Sequence, residues 1–305
     1  MEHLKTDWIA VDWGTSNLRA WVMDAQSVPI ACLKADQGMG KLAPHEFEPA
    51  LLNLITDHLP EARQTPVICC GMVGAAQGWS EAPYAAAPCT APDAGQAQQV
   101  KADDPRLKVY ILPGVKQMQP ADVMRGEETQ IAGFIAQNPN FDGVLCLPGT
   151  HTKWVHISAQ EIVSFRTFMT GEIFALLAGQ SVIRHSVDTQ GWDESSFMGA
   201  IDDVISRPQS LASELFSLRA AMLLHGSSAA SSRARLSGLL LGLELAGARP
   251  YWLGQKVVLI GSDTMARHYH TALTNQGTDA TIANSSALTL AGLTAAYRSL
   301  KETHL

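Results

Sequence analysis

VDWGTSNLRAW, from Val11 to Trp21, sets Asp12, Gly14, Thr15, Ser16, Asn17 and Arg19 inside the first apolar segment of the chain. Buried strands exclude acids and turn formers, so the stretch reads as two β-rich runs, WIAVDW and LRAWVMD, flanking a turn at Gly14–Asn17. Such a turn is either an ordinary hairpin or a loop whose glycine, hydroxyls and acid hold a ligand. CLPGTHTKWVHI, from Cys146 to Ile157, repeats the order of apolar strand, Gly-Thr, basic residue, Trp and strand. Two such runs about half a chain apart are the expected sign of a duplicated core placed in two lobes.

The 305 residues, 46% of them hydrophobic, suffice for two lobes of ordinary size. A net charge of −7 with no basic stripe argues against a nucleic-acid partner. It does not exclude anionic ligands, because helix N-termini and backbone amides bind phosphate locally. Five cysteines without CxxC spacing suit reduced thiols in a cytoplasm, not a disulfide framework or a zinc site. The opening MEHLKTDWIAVDW carries acids and no long apolar core, so a signal peptide is not expected, and no run approaches the roughly 20 apolar residues of a membrane span.

Strands and helices alternate along the chain, which predicts an α/β protein. HEFEPALLNLITDHLPEA has helical spacing and ends at Pro60. PVICCGMVG reads as a buried strand feeding a loop, and the stretch from Gly74 to Gly95 has no period, as binding loops often lack one. KVYILPG resumes a strand, RGEETQIAGFIAQN a helix with acids at its start, and TGEIFALLAGQSVI another helix. SELFSLRAAMLLHG and RARLSGLLLGLELAGARPYW form a helical pair separated by SSAASS; Gly238 and Gly242 lie four apart on one face and permit close packing. KVVLIGSDTMARHYHTAL is strand, Gly loop and helix, and SALTLAGLTAAYRSL a final amphipathic helix.

No GxGxxG follows a strand, Gly40-Lys41 lacks P-loop spacing, and HExxH and GxSxG are missing. The two Gly-Thr turns remain. Phosphoryl transfer needs amides, hydroxyls and a metal around a polyphosphate more than covalent help. Gly14 and Gly149 let backbone approach an anion; Thr15, Ser16, Asn17, Thr150 and Thr152 add polar donors; Lys153 and Arg19 add charge. Asp12, at a strand end, is placed to hold Mg2+ directly or through water. Either turn alone is an ordinary hairpin; together they favour phosphate binding. Glu127 and Glu128 at a helix start complement its dipole, yet a kinase needs one carboxylate as base, and this pair is the best source. Arg125 and Arg166 are candidate partners for a substrate carboxylate. His151, inside the second turn, suits phosphate contact and a structural hydrogen bond equally. Gly261 and Ser262 form a third Gly loop that either holds a nucleoside or caps a helix.

Five blocks in order, VDWGTSNLRAW, GMVGAAQGWSEAPY, VMRGEETQ, LPGTHTKWV and FRTFMTGE, together resemble the 2-dehydro-3-deoxygalactonokinase family, within the sugar-kinase, Hsp70 and actin superfamily. Agreement is weaker through RLSGLLLGLEL and LIGSDTMARHY, where Asp263 departs from the uncharged residue a nucleotide would prefer. The resemblance implies an actin-like ATPase fold of two RNase H-like lobes with a nucleotide cleft between them. The expected division is 1–130, with the first phosphate loop and the sugar loop, and 131–305, with the second phosphate loop and the nucleoside loop. It implies ATP and Mg2+ as cofactors, and transfer of phosphate to the 6-hydroxyl of a 2-keto-3-deoxy sugar acid in galactonate catabolism. Asp12 to Arg19 and Leu147 to Lys153 would be the phosphate loops, and Gly261 and Ser262 would lie near the nucleoside. Glu128 is preferred as base, with Glu127 beside it. Gly71, Met72, Gly74, Trp79 and Tyr84 would line the sugar pocket, with Arg125, Arg166, Thr170 and Glu172 completing the substrate set.

Three alternatives stay open at this point: a kinase for the gluconate epimer, a phosphohydrolase of the same fold, and an actin- or Hsp70-like assembly protein. The expected partners are the sugar acid and ATP, with no nucleic acid and no membrane, and a homodimer as the candidate assembly.

Overall fold

The computed structural model describes residues 6–92, 94–187, 190–261 and 263–304. Its contacts divide the chain into two compact units. The first holds residues up to Asp142, Ile157–Ser164 and Ser285 onward; the second holds Gly143–His156 and Phe165–Asn284. This division is discontinuous, where the sequence suggests one boundary after residue 130, because the last helix rejoins the first unit.

In the first unit β1 (Trp8–Trp13), β2 (Leu18–Met23) and β3 (Pro29–Ala35) form an antiparallel ladder. Helix α1 (Phe47–Ile55) leads to β4 (Thr65–Gly71), which runs parallel to β1. The stretch read as aperiodic contains two short strands, β5 (Tyr84–Ala86) and β6 (Cys89–Thr90), before β7 (Gln98–Val100). Strand β8 (Leu107–Ile111) extends the parallel set, giving the order β3-β2-β1-β4-β8-β7. A small sheet of β5, β9 (Gly114–Gln117) and β10 (Asp122–Met124) delivers the chain to α2 (Glu127–Gln137).

The second sheet repeats that plan. Strands β11 (Gly143–Leu147), β12 (Thr152–Ser158) and β13 (Glu161–Phe168) sit side by side, and β14 (Val257–Gly261) and β15 (Ala280–Asn284) follow in parallel on the other edge of β11. The order β13-β12-β11-β14-β15 matches β3-β2-β1-β4-β8, so the two Gly-Thr turns occupy equivalent places, between the first and second strand of each sheet. The echo in the sequence is a duplicated core.

Helices α3 (Thr170–Gln180), α4 (Glu194–Ile205), α5 (Leu211–His225), α6 (Ala229–Gly247) and the short α7 (Arg249–Trp252) precede β14. Helix α8 (Asp263–Asn275) joins β14 to β15, and α9 (Ser285–His304) follows. Helix α6 begins inside SSAASS, because the Ser228 side chain caps it by accepting the Ser231 N–H. Its Gly238 and Gly242 do permit close packing, and the partner is α4: a Cβ on Gly238 would lie 2.2 Å from the Phe197 carbonyl oxygen.

The first sheet is covered by α1 on one face and by α9 on the other, where Trp8 stacks on Tyr297 with ring centroids 4.3 Å apart. Helix α9 crosses α2 at two glycines. A Cβ on Gly133 would lie 2.0 Å from the Leu288 carbonyl oxygen, and one on Gly292 would lie 1.9 Å from that of Thr129. Any larger residue there forces the helices apart. Among the described residues no helix is long and apolar enough to cross a membrane.

Candidate active site

Ligands of α/β sheets gather at the carboxyl ends of parallel strands. In the first unit those ends carry Asp12 and Gly14 after β1, and Gly71 to Gly74 after β4. The Gly14–Asn17 turn is closed by the Gly14 N–H donating to the Asn17 carbonyl at 3.0 Å. The carbonyls of Gly14, Thr15 and Ser16 accept the amides of Met39, Gly40 and Gly38 at 3.0, 2.9 and 3.2 Å. Gly38 is obligatory, since a Cβ would lie 2.2 Å from the Ser16 carbonyl carbon. With its carbonyls clamped from behind, the turn leaves Thr15, Ser16 and Asn17 exposed. The QGMG stretch that makes the clamp carries no chemistry of its own and is not singled out by its sequence.

Asp12 and Arg19 face each other across the β1–β2 ladder and form an ion pair at 2.8 Å; Arg19 also donates to Ser286 at 2.7 Å. Asp12 keeps 28% side-chain exposure. Among the described residues no three His, Cys, Asp or Glu side chains form a metal cage. Asp12, partly exposed and paired with Arg19, fits Mg2+, which keeps waters and takes phosphate oxygens, better than it fits a cation needing an all-protein cage.

Beyond β4, Gly71 adopts φ +93°, and a Cβ there would lie 2.7 Å from the Trp13 carbonyl oxygen. Gly126 (φ +109°) packs beside it and turns the chain into α2. Glu128, in the first turn of α2, is 2% exposed. Both its carboxylate oxygens accept the Gly126 N–H, at 2.7 and 2.9 Å, and the Thr129 hydroxyl donates to it at 3.3 Å. Burial, then the Glu127 charge, pushes its carboxyl up to about 7. Glu127 instead accepts the Arg125 N–H at 3.2 Å. Cys70 lies between the two acids that matter: both Asp12 and Glu128 raise its thiol, after burial.

Arg125 is 9% exposed. Its guanidinium lies 4.2 Å over the Tyr84 ring, Nη2 donates to the Ala82 carbonyl at 2.8 Å, and Nη1 is buried with no hydrogen-bond partner. Gly74 makes the room, since a Cβ there would lie 2.8 Å from Nη1. Met72 is half-buried in the turn after β4, while Trp79 stacks on Phe47 and sets an edge against Trp13, packing into the core.

In the second unit the Pro148–His151 turn is held by the start of α3. Gly171 presses on it so closely that a Cβ would lie 2.4 Å from the Gly149 carbonyl oxygen. The Glu172 N–H donates to the Thr150 carbonyl at 3.0 Å, and the Glu172 carboxylate bonds His151 Nε2. Thr150 and His151 are exposed; Lys153 is buried and donates to Thr167 at 2.9 Å. Arg166 is exposed on β13. Gly261 ends β14 against Pro148; Ser262 lies outside the described residues.

Beside this turn opens a cavity of about 250 Å3. Its walls include Gly149, Thr170 and Phe174, with Met265, His268 and Tyr269 on α8. His268 stacks on Trp192 with centroids 4.0 Å apart, and Arg233 lies 5.2 Å over Phe174. Flat apolar and aromatic walls beside a polar Gly-Thr turn suit a base with phosphates attached. Beneath the cavity Glu244, 1% exposed, accepts the Trp154 N–H at 2.8 Å, the Tyr269 hydroxyl at 2.8 Å and the Thr170 hydroxyl. Thr152 in turn bonds Tyr269 at 2.8 Å. Nothing in the sequence around Glu244 marks it for this place.

Residues 12–296 match the family model for 2-keto-3-deoxy-galactonokinase. The chain belongs to that family. It is 38% identical to a Rhizobium meliloti protein assigned as a 2-dehydro-3-deoxygalactonokinase, covering 95% of this chain and 96% of the relative. It is 33% identical to the 2-dehydro-3-deoxygalactonokinase of Escherichia coli, over 94% and 96%. A crystal structure from Sinorhizobium meliloti, assigned to the same kinase, superposes with a TM-score of 0.88 at 37% identity, covering 96% of each chain. The fold extends beyond the kinase family. The Clostridium difficile activator of 2-hydroxyisocaproyl-CoA dehydratase, solved with bound ADPNP, shares it at TM-score 0.52 and 12% identity, over 98% of each chain. The architecture is the actin-like ATPase fold that the family resemblance implies.

Proposed function

We propose that this member of the galactonokinase family transfers the γ-phosphate of ATP to the 6-hydroxyl of 2-dehydro-3-deoxy-D-galactonate, giving the 6-phosphate and ADP in galactonate catabolism. The observation that carries this reading is Glu128, a buried carboxylate with its proton held near neutrality, on the same rim as Asp12 and the Gly14–Asn17 turn. A base poised near the working pH is the one covalent-chemistry requirement of a sugar kinase.

Glu128 accepts the proton of the 6-hydroxyl as its oxygen bonds to the γ-phosphorus and the bridging oxygen departs with ADP. Arg125, with Nη1 buried and unpartnered, binds the substrate carboxylate, and Tyr84 keeps its guanidinium flat. Gly71, Met72 and Gly74 shape the sugar side, with Trp79 packed behind them on Phe47 and Trp13. Thr15, Ser16 and Asn17 present hydroxyls, amide and backbone to phosphate in one unit, and Gly149, Thr150, His151, Thr152 and Lys153 serve in the other. Arg19 acts through Asp12, its ion-pair partner. The cavity beside Gly149 takes the nucleoside. Mg2+, when bound, neutralises phosphate charge, and Asp12 holds it directly or through water.

The protein works in the cytoplasm in this reading, as a homodimer whose candidate face is the exposed Phe216, Leu223 and Leu224 of α5. Light scattering after size exclusion tests that assembly. The activity is tested by coupled ADP release over a panel of 2-keto-3-deoxy aldonates. The galactonate epimer should give the highest kcat/KM. Equal ATP turnover with and without sugar acid would instead make the protein a hydrolase, and a higher value for the gluconate epimer would reassign the substrate.

A further inference from the structure

Among the described residues of the second unit, Glu244 is the deepest charged side chain that the phosphoryl transfer does not use. It belongs to α6, yet the three donors to its carboxyl come from three other elements: Trp154 on β12, Thr170 at the start of α3 and Tyr269 on α8. Two of these donors, Thr170 and Tyr269, are walls of the cavity. The remaining links run to β12, the strand that leaves the second Gly-Thr turn. Trp154 donates from its middle, and Thr152, its first residue, bonds Tyr269. Gly171, next to Thr170, is the residue pressed against Gly149. One carboxyl thus ties both the cavity walls and the turn to a single point, and it forms no salt bridge among the described residues.

We propose that Glu244 is a positioning residue for the nucleotide: it fixes Tyr269 and Thr170 to β12, so that the base-binding walls and the second phosphate turn keep one relative geometry. The inference rests on the nucleotide reading of the cavity. A carboxyl with several donors converging on it is the buried group that only a complete network tolerates. Burial also pushes Glu244 up to about 7, against the lowering by its hydrogen bonds, so glutamine, neutral and nearly the same shape, is the conservative substitute.

The test compares wild type, E244Q, E244A, W154F and S237W, with ADP affinity by calorimetry and separate KM values for ATP and for the sugar acid. S237W fills the cavity from α6 while leaving Glu244 and all of its donors in the sequence, so it reports on the cavity. E244A should weaken ADP about tenfold or more while the KM for sugar acid stays within about twofold, since the loss of hydrogen bonds to a charged group has that size. E244Q should recover most of that loss. W154F, which removes one donor and none of the cavity wall, should weaken ADP about threefold and carries the test if E244A does not fold. If S237W leaves ADP binding unchanged, the cavity is not the nucleotide site and the proposal falls with that reading. If S237W weakens ADP while E244A and W154F leave it unchanged, the positioning role alone is refuted. A matching rise in both KM values would also refute it, since general loosening of the fold does not choose between substrates.

Discussion

Replacing Glu128 by glutamine separates two consequences of burying one carboxylate. At about 1.4 kcal/mol for each tenfold change in proton affinity, raising this carboxyl from 4.5 to about 7 costs the folded state about 3 kcal/mol once both states are ionised. The folded protein holds the proton more tightly than the unfolded chain. The group's contribution is therefore fully favourable below 4.5, declines as pH rises towards 7, and above 7 stays at its least favourable value. Glutamine removes the charge but keeps one oxygen for the Gly126 N–H, and its amide nitrogen gains no assured acceptor, so the net gain at pH 8 should be about 2 kcal/mol. Urea unfolding should show E128Q more stable than wild type at pH 8 and no more stable at pH 4.5. The same variant should lose about 10²- to 10⁴-fold in kcat, with a much smaller change in KM. An E128Q enzyme that keeps near-full kcat, or one less stable than wild type at pH 8, would refute the argument. The first result dismisses the base; the second dismisses the buried charge.

Other outcomes follow from neighbouring residues. In wild type, kcat/KM should rise with pH to a plateau through about 7 as Glu128 ionises. E127Q should move that rise to lower pH, because the Glu127 charge is the second cause holding Glu128 up. R125K should raise the KM for sugar acid about tenfold, with the KM for ATP unchanged, since a point charge replaces the planar fork held over Tyr84. G171A should raise the KM for ATP, because its methyl would collide with the Gly149 carbonyl and displace the second turn; an unchanged KM would show that this turn does not touch nucleotide.

The two turns were legible because glycine, hydroxyl and charge concentrate where strands should be purely apolar, and the repeat of that anomaly carried the duplicated core. Glu127 and Glu128 were legible as a pair, but not as unequal partners. One points its carboxyl to the Arg125 amide and the other turns into the protein to accept the Gly126 N–H, a difference that the residue types do not carry. Helix α4 has a readable trace: Phe197, Ile201, Val204 and Ile205 recur at helical spacing behind Asp193, whose side chain caps the helix. Trp79 reads as a pocket aromatic beside GMVG, yet its ring packs against both Phe47 and Trp13, a placement set by residues far away in sequence. Glu244 was beyond reach for the same reason. In LLLGLELAG it looks like the polar face of a helix, and its meaning comes from three donors on other elements.

The glycine crossing of α2 and α9 gives the molecule an order of assembly. Helix α2 leaves the ribosome before any of the second unit, while α9, against which it lies almost backbone to backbone, emerges only after all of it. During synthesis α2 therefore waits, its seat unmade, for well over a hundred residues. A nascent chain that has already made its second unit still lacks the helix that packs on α2, whose first turn carries Glu128. With the cavity as nucleotide seat and Glu128 as base, the roles proposed above, the capacity to hold a nucleotide would precede the capacity to transfer its phosphate.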